Sequence, residues 1–259
     1  MRHPATVNYH IQSAERQCFQ FDVDGITGNI IPPELVKTSI QAEDLRDNSS
    51  TVNFDVDGIT FEKSATKIKD FIHSTDWEDT YNAEIRNLLI DKIGAKDVIV
   101  FDHTIRIDDP DSPRTPARNV HNDYSKMGAE ERLIDILGKQ KASQFSEGHY
   151  GFVNVWRPIE DIIRSSPLGF IRPSSIEAED WMNIDLIYPD EVREILGVAA
   201  NSNHEWFYQS HMTPEEVAIF NVFDNKGLPY LGHSALDMEI PEKVLSPRKS
   251  LESRTIVRY

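Results

Sequence analysis

The segment His121-Asn122-Asp123 places an imidazole and a carboxylate two residues apart. On an extended strand such residues point to the same face, so both can reach one metal ion. Two imidazoles and one carboxylate on one face of an Fe(II) ion leave three positions open for a cosubstrate and dioxygen, the facial-triad arrangement. With nine histidines and 43 acidic residues, His-x-Asp pairs also arise by chance, so the spacing alone is not specific. The second imidazole must come from another strand, and His149, His204, His211 and His233 are the candidates. His204 and His211 flank the aromatic run Trp206-Phe207-Tyr208, where an imidazole packs and hydrogen-bonds. His233 follows the turn-forming Asn225-Lys226-Gly227, a context suited to a side chain aimed into a barrel mouth. The residues alone leave that choice open.

A cosubstrate with a distal carboxylate needs a buried cation, and arginine offers planar bidentate donors where lysine offers a point charge. Arg248 is one candidate, with Ser250 two residues on and on the same strand face. Arg254 is the other, for that carboxylate or for an anionic group of the substrate. Either arginine taken singly fits a surface ion pair equally well.

The elements that must carry these residues read as mainly β. The heptapeptide Phe21–Thr27 recurs as Phe54–Thr60, and alternation running into Asp-Gly predicts a short strand entering a tight turn in each copy. Neither copy has the spacing of an EF-hand calcium loop. Apolar residues at helical spacing predict two amphipathic helices between Glu62 and Ile93, the second ended by Gly94. A strand from Asp97 through Ile107 follows, then a Pro- and Asp-rich loop or flap over 108–118 leading to His121. A helix over Ala129–Leu137 and strands over Tyr150–Trp156, Val217–Phe223 and Ser253–Tyr259 complete the pattern, with Thr213-Pro214 as a helix or turn start.

Five motifs in order carry a resemblance over roughly residues 95 to 259: His121-Asn122-Asp123-Tyr124-Ser125, Phe152–Ile159, Met212–Val217, Gly232–Ala235 and Pro247–Arg254. The chain resembles the CmcJ/AsaB-like, gibberellin desaturase-like family of hydroxylases and desaturases. The resemblance implies a double-stranded β-helix, a jelly-roll or cupin-like barrel, with dependence on Fe(II), 2-oxoglutarate and O2. It implies that His121, Asp123 and His233 ligate iron and that Arg248 with Ser250, or Arg254, binds the far carboxylate of 2-oxoglutarate. Asn154 is implied near the cosubstrate, and Trp156 and Arg157 on the same family-typical strand near the substrate, with core packing an equal reading for Trp156. Tyr208 in its aromatic run is a further candidate for an apolar pocket.

The whole chain, 1–259, reads as a single oxygenase domain, with residues 1–95 as N-terminal strands and helices covering a core over 96–259. A net charge of −16 disfavours nucleic acid and anionic lipid as partners. No signal peptide and no membrane-length apolar run is evident, and Cys18, the single cysteine, permits no intrachain disulfide. Cys18 reads as a small buried hydrophobe. A cytoplasmic location fits that composition, and monomer and homodimer are both compatible with it. The expectation is an oxygenase that hydroxylates, desaturates or cyclises a small molecule, an amino acid or natural-product intermediate. The rivals are a non-catalytic small-ligand-binding barrel and a cupin-like metal hydrolase or isomerase.

Overall fold

Alternating apolar and polar residues make strand the commonest element of this chain, because each strand then buries one face and leaves the other for a second layer. The computed structural model describes residues 1–26, 28–46, 51–239 and 246–259. The N-terminal strands are β1 (Arg2–His10), β2 (Gln17–Gln20) and β3 (Leu35–Asp44). Helix α1 (Phe54–Asp57), β4 (Ile59–Lys63), α2 (Glu78–Ile93), β5 (Asp97–Ile107) and β6 (His121–Asn122) follow. Helices α3 (Lys126–Leu137) and α4 (Lys139–Glu147) precede β7 (Tyr150–Pro158), β8 (Leu168–Ile171), β9 (Trp181–Ile187) and β10 (Val192–Val198). The chain closes with β11 (Trp206–Tyr208), β12 (Glu216–Asp224), β13 (His233–Ala235), β14 (Asp237–Met238) and β15 (Lys249–Arg258).

Two sheets result. The larger has the order β14-β1-β3-β11-β8-β13-β6-β10-β9-β2 and the smaller β4-β12-β7-β15-β5. All pairings are antiparallel except β11 with β3 and β2 with β9. This is the expected double-stranded β-helix, mainly β with flanking helices. Residues 1–95 do more than cover it: β1 and β3 lengthen the larger sheet and β4 adds an edge to the smaller.

The register of the smaller sheet decides what its two faces do. Opposite residues Trp156–Glu252, Asn154–Arg254, Thr104–Glu252 and Arg106–Ser250 share the inner face. The apolar part of that face, including Phe152, Trp156 and Phe220, packs with Phe170, Phe207 and Leu231 from the larger sheet. On the outer face Val153, Val155, Val217, Ile219 and Leu251 meet Tyr81, Ile85, Leu88 and Leu89 of α2. Gly94 ends α2 in the left-handed region, at φ 67°, as its position implied.

Several local expectations give way to tertiary context. Neither copy of the repeated heptapeptide is a strand entering a turn: Val23–Gly25 forms a 3-10 turn, and Phe54–Asp57 forms one turn of α-helix capped by Asn53. Gly58 ends α1 at φ 70°, with the Pro229 carbonyl standing where a Cβ would need room. Buried Phe54 also joins the outer core, so its surroundings select helix over hairpin. Of the two helices expected between Glu62 and Ile93, only α2 forms. Thr66 and the Lys67 backbone N–H donate to Glu84, and Asp70 accepts from the N–H groups of Ile72 and His73, so side-chain bonds replace the helical ladder there. Thr213-Pro214 opens a turn, with the Glu216 N–H donating to the Thr213 carbonyl. The last strand begins at Lys249, which brings Ser250 into the ladder. Cys18 is half-buried on β2 instead of sitting in the core.

Candidate metal centre

His121 and His233 face each other directly in the register of β6 and β13. Their rings lie 4.5 Å apart, and Asp123, one residue beyond β6, completes the group, with one ligand atom from each residue lying within 4.8 Å of the others. Ser125 then caps α3 by accepting the Gly128 N–H, which fixes the chain just after Asp123. A Cβ on Gly128 would collide with the Glu194 carbonyl, so glycine is what lets α3 approach β10 so closely.

Hydrogen bonds determine which atoms are left for a metal. The His121 Nδ1 lies 2.8 Å from the Asn119 carbonyl and the His233 Nδ1 3.1 Å from the Leu231 carbonyl. A carbonyl only accepts, so each Nδ1 carries the proton and each Nε2 keeps a free lone pair. Asp123 Oδ2 accepts from Asn154 Nδ2 at 2.9 Å and from Arg254 Nε at 3.3 Å. That leaves Oδ1, 3.6 Å from the Nε2 of His121 and 3.8 Å from that of His233. One ion with metal–ligand bonds of about 2.0–2.2 Å can touch atoms so spaced. The donor set, two neutral imidazoles and a carboxylate, is the one that suits non-haem Fe(II).

The electrostatics match. Burial, followed by the neighbouring His121, pushes His233 down to about 3, so it is neutral at any working pH. Burial alone would raise Asp123, but Arg254, His121 and His233 together hold it well below the usual carboxylate range. Arg254 is in turn kept charged against its own burial by Glu252, Asp123, Tyr124 and Asp102.

The other histidines are engaged elsewhere. His149 Nε2 lies 2.7 Å from Asp224, His204 bridges Tyr9 and Asp180, and His211 occupies a turn at φ 48°.

Between the two arginines, the partners differ. Arg254 donates to Asp102, Asp123, Glu252 and Thr104, a full complement of acceptors. Arg248 is 4% exposed, bonds only the Ser166 carbonyl and the Ser250 hydroxyl, and has no ion pair among the described residues. Its guanidinium lies 5.0 Å from the Trp156 ring centroid, so Trp156 both fills the core and supports Arg248. Burial and then the neighbouring Arg106 push the Arg248 cation down to about 9, as expected where a counter-anion is wanting. Ser166, at φ 47° in the left-handed region, is fixed by bonds to Asp108 and Arg118 while its carbonyl meets Arg248. The 108–118 loop is thereby tied to the Arg248 end of the site: the Asp108 N–H donates to the Arg248 carbonyl at 2.8 Å.

Two expected pocket residues lie on the wrong faces. Arg157 points to the outer side, donating to the Ser64 and Pro214 carbonyls with its guanidinium 5.2 Å from the Tyr81 ring centroid. Strand alternation puts it opposite Asn154 and Trp156. Tyr208 packs with Val7 and Trp206 away from the inner core, its hydroxyl 2.6 Å from His3 Nδ1, whereas Phe207 between them turns inward against Phe170. Phe207, expected with Trp206 and Tyr208 beside an apolar pocket, is the one of the three that turns inward, and the residues to which the sequence assigns no role are Ser166 and Arg106. The alternation in His103-Thr104-Ile105-Arg106-Ile107 was the available signal for the second.

Arg157→Met is expected to lower stability by about 1–3 kcal/mol by removing a buried guanidinium's bonds to the part-buried Ser64 and Pro214 carbonyls, with iron affinity unchanged, as thermal melts and metal titration would report. By contrast Asn154→Ala is expected to weaken iron binding by about 10–100-fold, because it frees Asp123 Oδ2 to rotate. An unchanged iron affinity in that variant would show that Arg254 alone orients the carboxylate.

A family profile described as oxidoreductase/YMDC permease-like domain matches residues 8–258, so the relatedness reaches across the N-terminal third as well as the motif-bearing part. Among the described residues no helix is long and apolar enough to cross a membrane. The hydroxylase/desaturase efuI of Hormonema carpetanum is 29% identical over 248 residues, covering 84% of this chain and 82% of its own. The hydroxylase/desaturase CTB9 of Cercospora beticola is 25% identical, covering 85% and 76%. Among solved structures, a variant of the iron and alpha-ketoglutarate-dependent endoperoxidase NvfI superposes with a TM-score of 0.90 at 19% identity, covering 100% of this chain and 97% of its own. At that identity the likeness establishes the fold.

Proposed function

The chain belongs to the oxidoreductase/YMDC permease-like domain family, and from that premise we propose that it is a non-haem Fe(II)- and 2-oxoglutarate-dependent oxygenase of small molecules, acting on a natural-product intermediate or amino acid. The observation that carries this reading is the convergence of three otherwise unengaged ligand atoms, the Nε2 atoms of His121 and His233 and Oδ1 of Asp123. The names of the relatives, hydroxylase/desaturase and alpha-ketoglutarate-dependent dioxygenase, support it.

His121, Asp123 and His233 would hold the iron, and Arg248 with Ser250 would hold the far carboxylate of 2-oxoglutarate. When bound, Fe(II) with 2-oxoglutarate and O2 supplies the oxidising power to convert a C–H bond to a hydroxyl, an alkene or a new ring, with release of succinate and CO2. The protein's own task is orientation and exclusion of water. Asn154 and Arg254 fix the Asp123 carboxylate, and Trp156 and Ser166 fix the Arg248 guanidinium. Phe170 and Phe220, with ring centroids 6.2 and 5.1 Å from that of His233, form a dry wall beside it. Buried Arg248, without a carboxylate partner among the described residues, speaks against hydrolase or isomerase chemistry, which needs no dicarboxylate anchor.

The catalytic unit in this reading is the whole chain, acting in the cytoplasm without nucleic acid. The test is anaerobic purification, addition of Fe(II), 2-oxoglutarate and air, and measurement of succinate with and without a panel of terpenoids and amino acids. Succinate that appears in the wild type and disappears in His121→Ala supports the oxygenase; iron binding with no succinate, even as slow background, sinks it.

A further inference from the structure

The inner face of the smaller sheet carries one cation that neither the metal centre nor the cosubstrate anchor uses. Arg106 stands opposite Ser250 in the register of β5 and β15, on the face that carries Glu252 and Arg254. Its one side-chain bond is from Nη1 to the Thr115 carbonyl at 2.9 Å, in the loop before His121. Burial lowers its pKa, and Glu252, Arg254, Asp123 and Arg114 are the charges it feels.

Two further arginines stand apart from Arg106, Arg114 on the loop and Arg132 over Phe101, five residues away along β5. Arg132 of α3 lies 5.2 Å from the Phe101 ring centroid, and its charge acts on Tyr124, next to Asp123. Arg114 is exposed on the loop, and its charge acts on Arg106 and Tyr188. None of the three has a carboxylate within ion-pair distance among the described residues, although acidic residues outnumber basic ones by 43 to 27. Arg16, Arg46, Arg118, Arg172, Arg193 and Arg254 all have one. A half-buried guanidinium such as that of Arg106, with unused donors, is well placed to take an acceptor from outside the chain.

We propose that Arg106 is a substrate-binding residue that receives a carboxylate of the organic substrate, with Arg114 adding a favourable field, so that the enzyme acts on an acidic molecule. This rests on the oxygenase reading and names the substrate class for the same site. A carboxylate fits because a guanidinium can bind it in a bidentate fork, whereas an ester or amide offers only a carbonyl oxygen. The cosubstrate also carries carboxylates, so the test separates the two sources.

The experiment uses the full chain held anaerobically with Fe(II) and 2-oxoglutarate, so that binding is read without turnover. Abietate, decanoate and 4-phenylbutanoate are titrated calorimetrically beside their methyl esters. At least one acid is expected to bind about 10–100-fold more tightly than its ester, and R106Q to remove that preference while the KM for 2-oxoglutarate in background succinate release stays unchanged. R106K, which keeps the charge and loses the fork, is expected to fall between the two, and a circular dichroism melt checks that both variants fold. The proposal is overturned if esters bind as well as acids, if no member of any pair binds, or if R106Q instead raises the KM for 2-oxoglutarate, which would give Arg106 to the cosubstrate. Wild-type iron binding and background succinate are measured in the same preparation; their absence would count against the oxygenase itself, a result distinct from loss of the acid preference.

Discussion

Replacing Asp123 with alanine is expected to abolish stable iron binding and lower succinate formation by at least about 10³-fold, since the metal contributes several kcal/mol to the reaction. The fold should survive. Arg254 keeps its bonds to Asp102, Thr104 and Glu252, so no buried cation is stranded, and the principal loss is the acceptor for Asn154 Nδ2. A melting temperature within a few degrees of wild type, together with absent iron on metal analysis, is the expected pair of results. Retention of iron at wild-type affinity would remove Asp123 from the ligand set and with it the facial triad.

Arg248→Gln should act on the cosubstrate instead. Truncating one partner of a buried charge pair costs about 2–5 kcal/mol, so the KM for 2-oxoglutarate is expected to rise by about 30-fold to several thousand-fold, with iron affinity unaltered. A second signature separates anchoring from general damage. In the free protein Arg248 is a desolvated cation without an ion pair among the described residues, so the variant should lose little stability when no cosubstrate is present. Adding 2-oxoglutarate should raise the melting temperature of the wild type and leave that of the variant unmoved. A variant stabilised as well as wild type would assign the carboxylate to another cation, and Arg106 would be the next to test.

The grouping of His121, Asp123 and His233 in space is legible in the sequence, whereas the facing of other side chains is not. The His121–Asp123 spacing is too common to be specific by itself, and His233 and the pair of alternatives Arg248 and Arg254 come from the ordered motifs of the resemblance. Arg157 is expected near the substrate from the family-typical strand it shares with Asn154 and Trp156, and Tyr208 from its aromatic run. The period of two along a strand already put Arg157 on the opposite face from Asn154 and Trp156. Tyr208 could be placed only once β11 was known to pair with β3 and β8, since alternation says which residues share a face but not which face looks inward. The repeated heptapeptide makes the same point about local structure. One set of letters yields a 3-10 turn in one copy and an α-helical turn in the other, because Phe54 has a core to enter whereas Phe21 stacks on half-buried Tyr188 at 4.6 Å. Choosing between Arg248 and Arg254 required a census of partners, which the sequence does not contain.

The direct pairing of His121 with His233 across β6 and β13 also bears on how the enzyme is assembled. The two strands are remote along the chain, so their ladder forms only after long-range loop closure, the slow part of folding a β-rich topology. Until then the nascent chain offers at most the isolated His121–Asp123 pair, a weak chelate for any divalent ion it meets. The complete trap for iron comes into being together with the finished barrel, and metal selection is thereby postponed to the end of folding. A chain that stalls before β13 docks would be invisible to iron supply, and it would be recognised as unfinished by its failure to gain the stability that the metal confers.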